Sequence, residues 1–196
     1  MTRTLDAEIA VPAQCELAEG PVWDAARGLL RWVDILPGHV HALDPVTGAH
    51  SWFEAGLDWS DDRKSFYFAD SHAGGVDLFD TDPDIGALSG RRRFVPVSGG
   101  LPDGLTLDAE GGLWLAVWGS GELRRYLPDG RVDAVARLPV SQVTSAAFGG
   151  ADLRTLYITT ARENFTPADL REQPHAGDIF ACTPGVTGRP PYVFGI

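Results

Sequence analysis

Four residues hold one repeated place in this chain. Glu19, Ala55, Asp103 and Thr144 each come directly before a small residue, Gly20, Gly56, Gly104 or Ser145, that opens an apolar run. All but Ala55 carry a side-chain oxygen, and Glu19 and Asp103 are carboxylates. Two carboxylates brought together repel unless a cation lies between them. Hard oxygen donors of this kind suit Ca²⁺, Mg²⁺ or Mn²⁺, and Zn²⁺ is also compatible. The plain alternative is that Glu19 and Asp103 cap turns, and the spacing alone leaves both readings open. A second set follows the next apolar run: Asp34, Asp70, Ser71, His72, Trp118 and Arg162. These are candidates for the wall of a pocket, with His72, Trp118 and Arg162 the ones to test for substrate contact. The stretch "ARENFTPADLREQPHAG", from Ala161 to Gly177, is the longest insertion between apolar runs. Insertions of this length often serve as a lid or a pocket wall.

What must position these residues is a repeat. "EGPVWDAARGLLRWVDILPGHVHALDPVTG" starts at Glu19 and "AGLDWSDDRKSFYFADSHAGGVDLFDTDPDIG" at Ala55. "DGLTLDAEGGLWLAVWGSGELRRYLPDG" starts at Asp103, and "TSAAFGGADLRTLYITTARENF" starts at Thr144 and resumes after the insertion at "GDIFAC". Each unit has an apolar strand, a polar turn, a second apolar strand, a Gly-containing loop and a third strand. "RRRFVPV", from Arg91 to Val97, supplies a weaker fourth. Units of three or four antiparallel strands that recur in this way predict an all-β chain of the β-propeller type rather than a sandwich. In a propeller the first strand lines the axis, so equivalent positions of different blades converge there at one end.

Composition agrees. The chain has 196 residues, 44% of them apolar, which is enough for a buried core in one domain. Its 23 glycines and 14 prolines are scattered between short β-branched or aromatic runs. A net charge of −11 disfavours nucleic acid and anionic membrane as partners. No run reaches membrane-span length and the start of the sequence has no apolar leader segment, so a soluble cytoplasmic protein is expected. Cys15 and Cys182 lack a persuasive histidine partner, and Ser120 in "WGSGE" lacks the spacing of a nucleophile elbow. His39 and His41 of "HVH" share a strand face, which reads as an exposed face before it reads as a metal site. Trp23, Trp32, Trp59 and Trp114 fall within strands and read as packing.

At this point the motifs become specific. "AEGPVWD" (18–24), "GLDWS" (56–60), "LPDGLTLDAEGGLWLA" (101–116), "TSAAFGG" (144–150) and "YITTARENF" (157–165) resemble the senescence-marker-protein/gluconolactonase/luciferin-regenerating-enzyme family. The resemblance covers almost the whole chain. It implies a six-bladed propeller with one divalent metal (Ca, Zn, Mg or Mn) and hydrolysis of a lactone, such as gluconolactone, to the acid. By the same resemblance Glu19 is a metal ligand, Asp103 is both metal ligand and catalytic residue, and Ala55 stands where the family keeps a metal-binding asparagine. The chain departs further. At roughly 40–50 residues per blade only about four blades fit, as a closed four-bladed ring or an open arc. We expect a single propeller domain over 1–196 with an internal deletion at about 52–56. The family's "N-D-G" segment and its sugar-contacting neighbours have no counterpart, and Asp61 and Ile85 depart from the usual residues.

On that reading the cation polarises the lactone carbonyl, Glu19 anchors it, and Asp103 takes a proton from water and returns it to the ring oxygen. Thr144 is a possible outer hydroxyl, although a plain strand residue is the simpler reading. Two other readings stand beside this one: a propeller that binds metal without catalysis, and a truncated, non-enzymatic chain. The latter could associate with itself through open sheet edges.

Overall fold

The computed structural model describes residues 10–13, 18–24, 28–34, 39–54, 56–82 and 87–190, with backbone alone at 18–24, 31–34, 39–40 and 52–54. Cys15, Ala55, Ile85 and the terminal stretches 2–9 and 191–196 lie outside the described residues. The chain divides into two compact units, Met1–Ala55 and Gly56–Ile196.

The first unit holds one antiparallel sheet in chain order: β1 (Ala18–Asp24), β2 (Leu29–Asp34), β3 (His39–Leu43) and β4 (His50–Glu54). The "DPVTG" turn between β3 and β4 is built by Asp44, whose carboxylate accepts from Val46 N at 2.8 Å and Thr47 N at 3.3 Å. Gly48 follows at φ +71, a left-handed conformation open to glycine at no steric cost. The bonds from Thr47 and then Val46 hold the Asp44 carboxyl below its ordinary pKa.

The second unit holds three sheets. One is β5 (Leu57–Trp59), β6 (Ser65–Asp70), β7 (Gly75–Thr81) and β8 (Leu88–Pro96). The next is β9 (Leu101–Leu107), β10 (Leu113–Trp118), β11 (Glu122–Tyr126) and β12 (Val132–Arg137). The last has three strands, β13 (Val143–Gly149), β14 (Thr155–Thr160) and β15 (Phe180–Cys182). The insertion before β15 carries α1 (Pro167–Glu172), the one helix among the described residues. Each sheet meanders antiparallel in chain order, which is the blade of a β-propeller, and the expected all-β class with about four blades is what the chain adopts. The fourth strand read from "RRRFVPV" is longer than expected, because β8 begins at Leu88.

The continuous apolar run "LWLAV" follows from burial on two faces. Leu113, Leu115 and Val117 of β10 pack with Tyr67, Ala69, Val76 and Val95 of the preceding sheet. Trp114 and Ala116 point the other way, into Val143, Ala146, Leu156 and Ile158. Side chains alternate along a strand, so a strand between two sheets must be apolar at every position.

Polar locks fasten the far ends of these strands. Asp108, fully buried in the β9–β10 turn, accepts from Gly112 N (2.8 Å), Glu110 N (3.0 Å), Trp114 Nε1 (3.0 Å) and Arg125 Nε (2.7 Å). Arg125 also reaches Asp133 at 2.6 Å and Glu110 at 3.0 Å. The segment after β15 then ties all three sheets together. Thr187 O accepts from Ala109 N, and Gly188 N donates to Leu153 O. Arg189 bonds Trp59 O (2.6 Å), Asp61 (2.9 Å) and Asp58 (2.7 Å), and Asp58 also accepts from Leu107 N.

At the outer edge of the β5–β8 sheet, Arg91 and Arg93 flank the buried Asp77 at 2.5 Å and 3.1 Å, and Arg92 meets Asp80 at 2.8 Å. Charge along an outer strand discourages edge-to-edge pairing.

Removing the anion at the centre of the buried network leaves Arg125 short of its one fully buried partner. Asp108→Ala is expected to cost about 3–5 kcal/mol of unfolding free energy, read as a lower urea midpoint with an unchanged m-value.

Candidate functional site

Two of the residues before small strand openers, Asp103 and Thr144, stand at bulges of their sheets. In β9, Leu105 pairs with Leu115 but Pro102 with Val117, so a bulge holds Asp103 and Gly104. In β13, Val143 pairs with Thr160 and Ser145 with Thr159, which leaves Thr144 as the extra residue. In β1 the register shifts between Glu19 and Val22. A bulge bends its strand and re-aims the side chain it carries, and bulges gather beside active sites. In the β5–β6 pair the ladder runs without a shift from Leu57↔Phe68 to Trp59↔Phe66.

Within the second unit the small residues are contact points. A Cβ at Gly56 would stand 2.6 Å from Leu105 N and 2.8 Å from Gly104 C, as well as against Asp103 O. A Cβ at Gly104 would meet the Ser145 side chain and stand 2.7 Å from Thr144 O. The first strands β5, β9 and β13 therefore run side by side at backbone contact, which brings half-buried Asp103 next to Thr144. Ser71, just past β6, donates from Oγ to Pro102 O at 2.6 Å and ties the residue before Asp103 to the neighbouring sheet. Thr144 Oγ1 and Thr159 Oγ1 share a hydrogen bond of 2.7 Å. We call this end, where first strands begin and second strands finish, the rim.

The other candidates of the second unit also lie at the rim, in differing roles. Asp70 accepts from Ala73 N at 2.8 Å and so shapes the turn that presents His72, which is exposed. Trp118 ends β10 opposite Leu101 and is half-buried. Arg162 is exposed just after β14. In the first unit, Glu19 pairs in register with Val33, and Asp34 with Ala18 and His39; their side chains lie outside the described residues.

Among the described residues no group of three or more His, Cys, Asp or Glu side chains is close enough to hold a metal ion. The chemistry of the rim positions still suits a hard cation, with a carboxylate at Asp103 and a hydroxyl at Thr144. The "HVH" histidine is engaged elsewhere. His41 Nδ1 lies 3.0 Å from His50 Nε2, with ring planes 15° apart and centroids 5.2 Å apart. That is a head-to-head N–H···N bond, in which at least one ring is neutral. Cys182 is a free thiol whose pKa burial pushes up, the opposite of an activated nucleophile.

The bulges were the signal available to sequence reasoning. E-G, D-G and T-S inside apolar strands place a small residue where a strand interior disfavours one, and that marks a bulge or a close approach. Gln142 and Gln173, which fasten the 161–177 insertion, had no such signal.

The sheets are blades of the β-propeller type. The family described as the SMP-30/Gluconolactonase/LRE-like region matches residues 17–56 and 52–162, and the chain belongs to it. Rabbit (Oryctolagus cuniculus) regucalcin is 40% identical over 166 residues, 80% of this chain and 56% of that protein. Regucalcin of Danio rerio is 42% identical over 170 residues, 82% of this chain and 58% of that one. The chain thus spans little more than half the length of these relatives. Among solved structures, a calcium-binding protein, regucalcin, from Agrobacterium tumefaciens superposes with a TM-score of 0.65 at 20% identity, over 92% of this chain and 94% of that one. A luciferin-regenerating enzyme gives 0.63 at 20% identity, over 92% and 96%.

Contact between first strands depends on glycine. Gly104→Ala is expected to force β9 and β13 apart and cost about 1–3 kcal/mol, measured by chemical denaturation.

Proposed function

We propose that this chain is a short lactonase of the gluconolactonase type, which opens a sugar lactone such as gluconolactone to its acid. The observation that carries the reading is Asp103, on the β9 bulge inside the family segment "LPDGLTLDAEGGLWLA" and against Thr144 of the next first strand. Its half-buried carboxylate is suited to take a proton from an attacking water and to return it to the departing ring oxygen. Its backbone packs against Gly56, and the Pro102 carbonyl before it accepts from the Ser71 hydroxyl of the same neighbouring sheet, so it needs little reorganisation during reaction. His72, Trp118 and Arg162 are proposed to contact the sugar ring and its hydroxyls.

A hard divalent cation (Ca²⁺, Zn²⁺, Mg²⁺ or Mn²⁺), held by Asp103 and Glu19, would polarise the lactone carbonyl and stabilise the oxyanion. The Glu19 assignment rests on its place in "AEGPVWD" and on the register shift that follows it. With alanine at position 55, water is proposed to fill one coordination position, which Ca²⁺ and Mg²⁺ tolerate. The two family matches overlap at 52–56, and the relatives are about one and a half times as long. We read this as the loss of two blades at that seam. The partner is then a small lactone, with neither nucleic acid nor membrane, and the net charge of −11 supports that choice. We place the protein in the cytoplasm, and self-association through sheet edges remains part of the proposal. Among the described residues no helix is long and apolar enough to cross a membrane.

A second reading is a propeller that binds metal without catalysis, and the alanine at position 55 favours it. Acid release from gluconolactone at constant pH, corrected for spontaneous opening, separates the two. Asp103→Asn is expected to lower the metal-dependent rate by about 10²–10⁴-fold, and Glu19→Gln to weaken cation binding. A wild-type rate in Asp103→Asn would remove the proposed role of that residue. A wild-type protein that binds Ca²⁺ without hydrolysis establishes the second reading. Ala55→Asn is expected to tighten cation binding measured by calorimetry.

A further inference from the structure

Gln142 lies between β12 and β13 and is only 9% exposed, yet neither the core nor the proposed chemistry uses it. Both ends of its amide meet one residue of the insertion. Nε2 donates to Glu163 O at 2.9 Å, and Oε1 accepts from Glu163 N at 2.7 Å. Only one orientation of the amide satisfies both bonds. The Gln142 carbonyl also accepts from Ala161 N at 2.9 Å. Three bonds therefore bracket Arg162, one on the residue before it and two on the residue after it. The Arg162 stem lies along Gly177, where an added Cβ would stand 3.5 Å from Cδ.

The adjoining Ser141 extends this clasp in two directions. Its N donates to Gln173 Oε1 at 2.6 Å, beyond α1. Its carbonyl accepts from Gly119 N at 2.9 Å and Gly121 N at 3.1 Å, in the turn that follows Trp118. The other foot of the insertion is closed by Thr160 Oγ1, which donates to Asp178 O at 2.6 Å and accepts from Gly177 N at 3.0 Å. Inside it, α1 is held by a capping box between Thr166 and Asp169. A lid needs a free edge and hinges, and this segment is bonded at both feet and along one side.

We propose that Gln142 is a positioning residue that fixes Arg162 and the Trp118 turn on one rigid wall, so that the 161–177 insertion selects ligand as a fixed surface and does not close as a lid. The proposal rests on the rim being the substrate site.

The test is Gln142→Met, which keeps length and volume but removes both side-chain bonds, read by amide hydrogen exchange and by lactone kinetics. Exchange over 161–166 is expected to rise about tenfold or more while β9 and β10 keep their protection. KM for the lactone is expected to rise about fivefold with kcat within about twofold. Arg162→Ala should raise KM similarly, and the double variant should add nothing further. A role in stability alone would lower the folded fraction and leave KM unchanged. Unchanged exchange in Gln142→Met overturns the clasp, even if the wild type hydrolyses no lactone. Raised exchange with unchanged KM in an active enzyme overturns the positioning of Arg162. Absence of lactone hydrolysis in the wild type counts against the proposed function, and the exchange result still decides between wall and lid.

Discussion

The second unit is organised by how closely its first strands approach. Gly56 lies on the backbone of Asp103–Leu105, and Gly104 lies on Thr144 and Ser145. A side chain at either position would collide with main chain, which cannot move as a flexible side chain can. Bulges at Asp103–Gly104 and at Thr144 lie at these close approaches. The chemistry-bearing residues sit at these bulges, so the packing constraint and the candidate site share one cause.

Rigidity at the rim depends on what holds the opposite end. Asp108 gathers a turn, an indole and a guanidinium around one buried carboxylate, and the 187–189 segment joins three sheets through Arg189 and two backbone bonds. Between the two ends, β10 is buried on both faces. The rim is the end that carries the candidate residues Asp103, Thr144, His72, Trp118 and Arg162. Its Ser71, Gln142 and Thr160 bonds tie mouth segments to neighbouring strands and do not contribute to the core.

The local parts of this arrangement were legible in the sequence. Blade grammar, the places of Asp103 and Thr144 at strand openings, and the packing role of Trp114 follow from strand periodicity and from small residues at those openings. What escaped notice depends on partners distant in sequence. Gln142 meets Glu163 21 positions away, and Asp108 meets Arg125 17 positions away. Neither residue breaks a pattern where it stands: "LDAEGG" reads as an ordinary polar turn, and "SQVTS" as an ordinary loop. The length of the insertion fits either a lid or a wall, and only its fastenings to Ser141, Gln142 and Thr160 distinguish them. The histidines of "HVH" show the same limit, since His41 finds His50 on the next strand.

The proposed function calls for one cation on Asp103, at the β9 bulge, with Glu19 as the second proposed ligand. Crystals of the full chain soaked in Mn²⁺ test it most directly, by anomalous scattering. The account predicts one strong peak bonded to oxygens of both Asp103 and Glu19, with water completing the shell. A well-ordered crystal that shows the two carboxylates apart, with no peak between them, would contradict it.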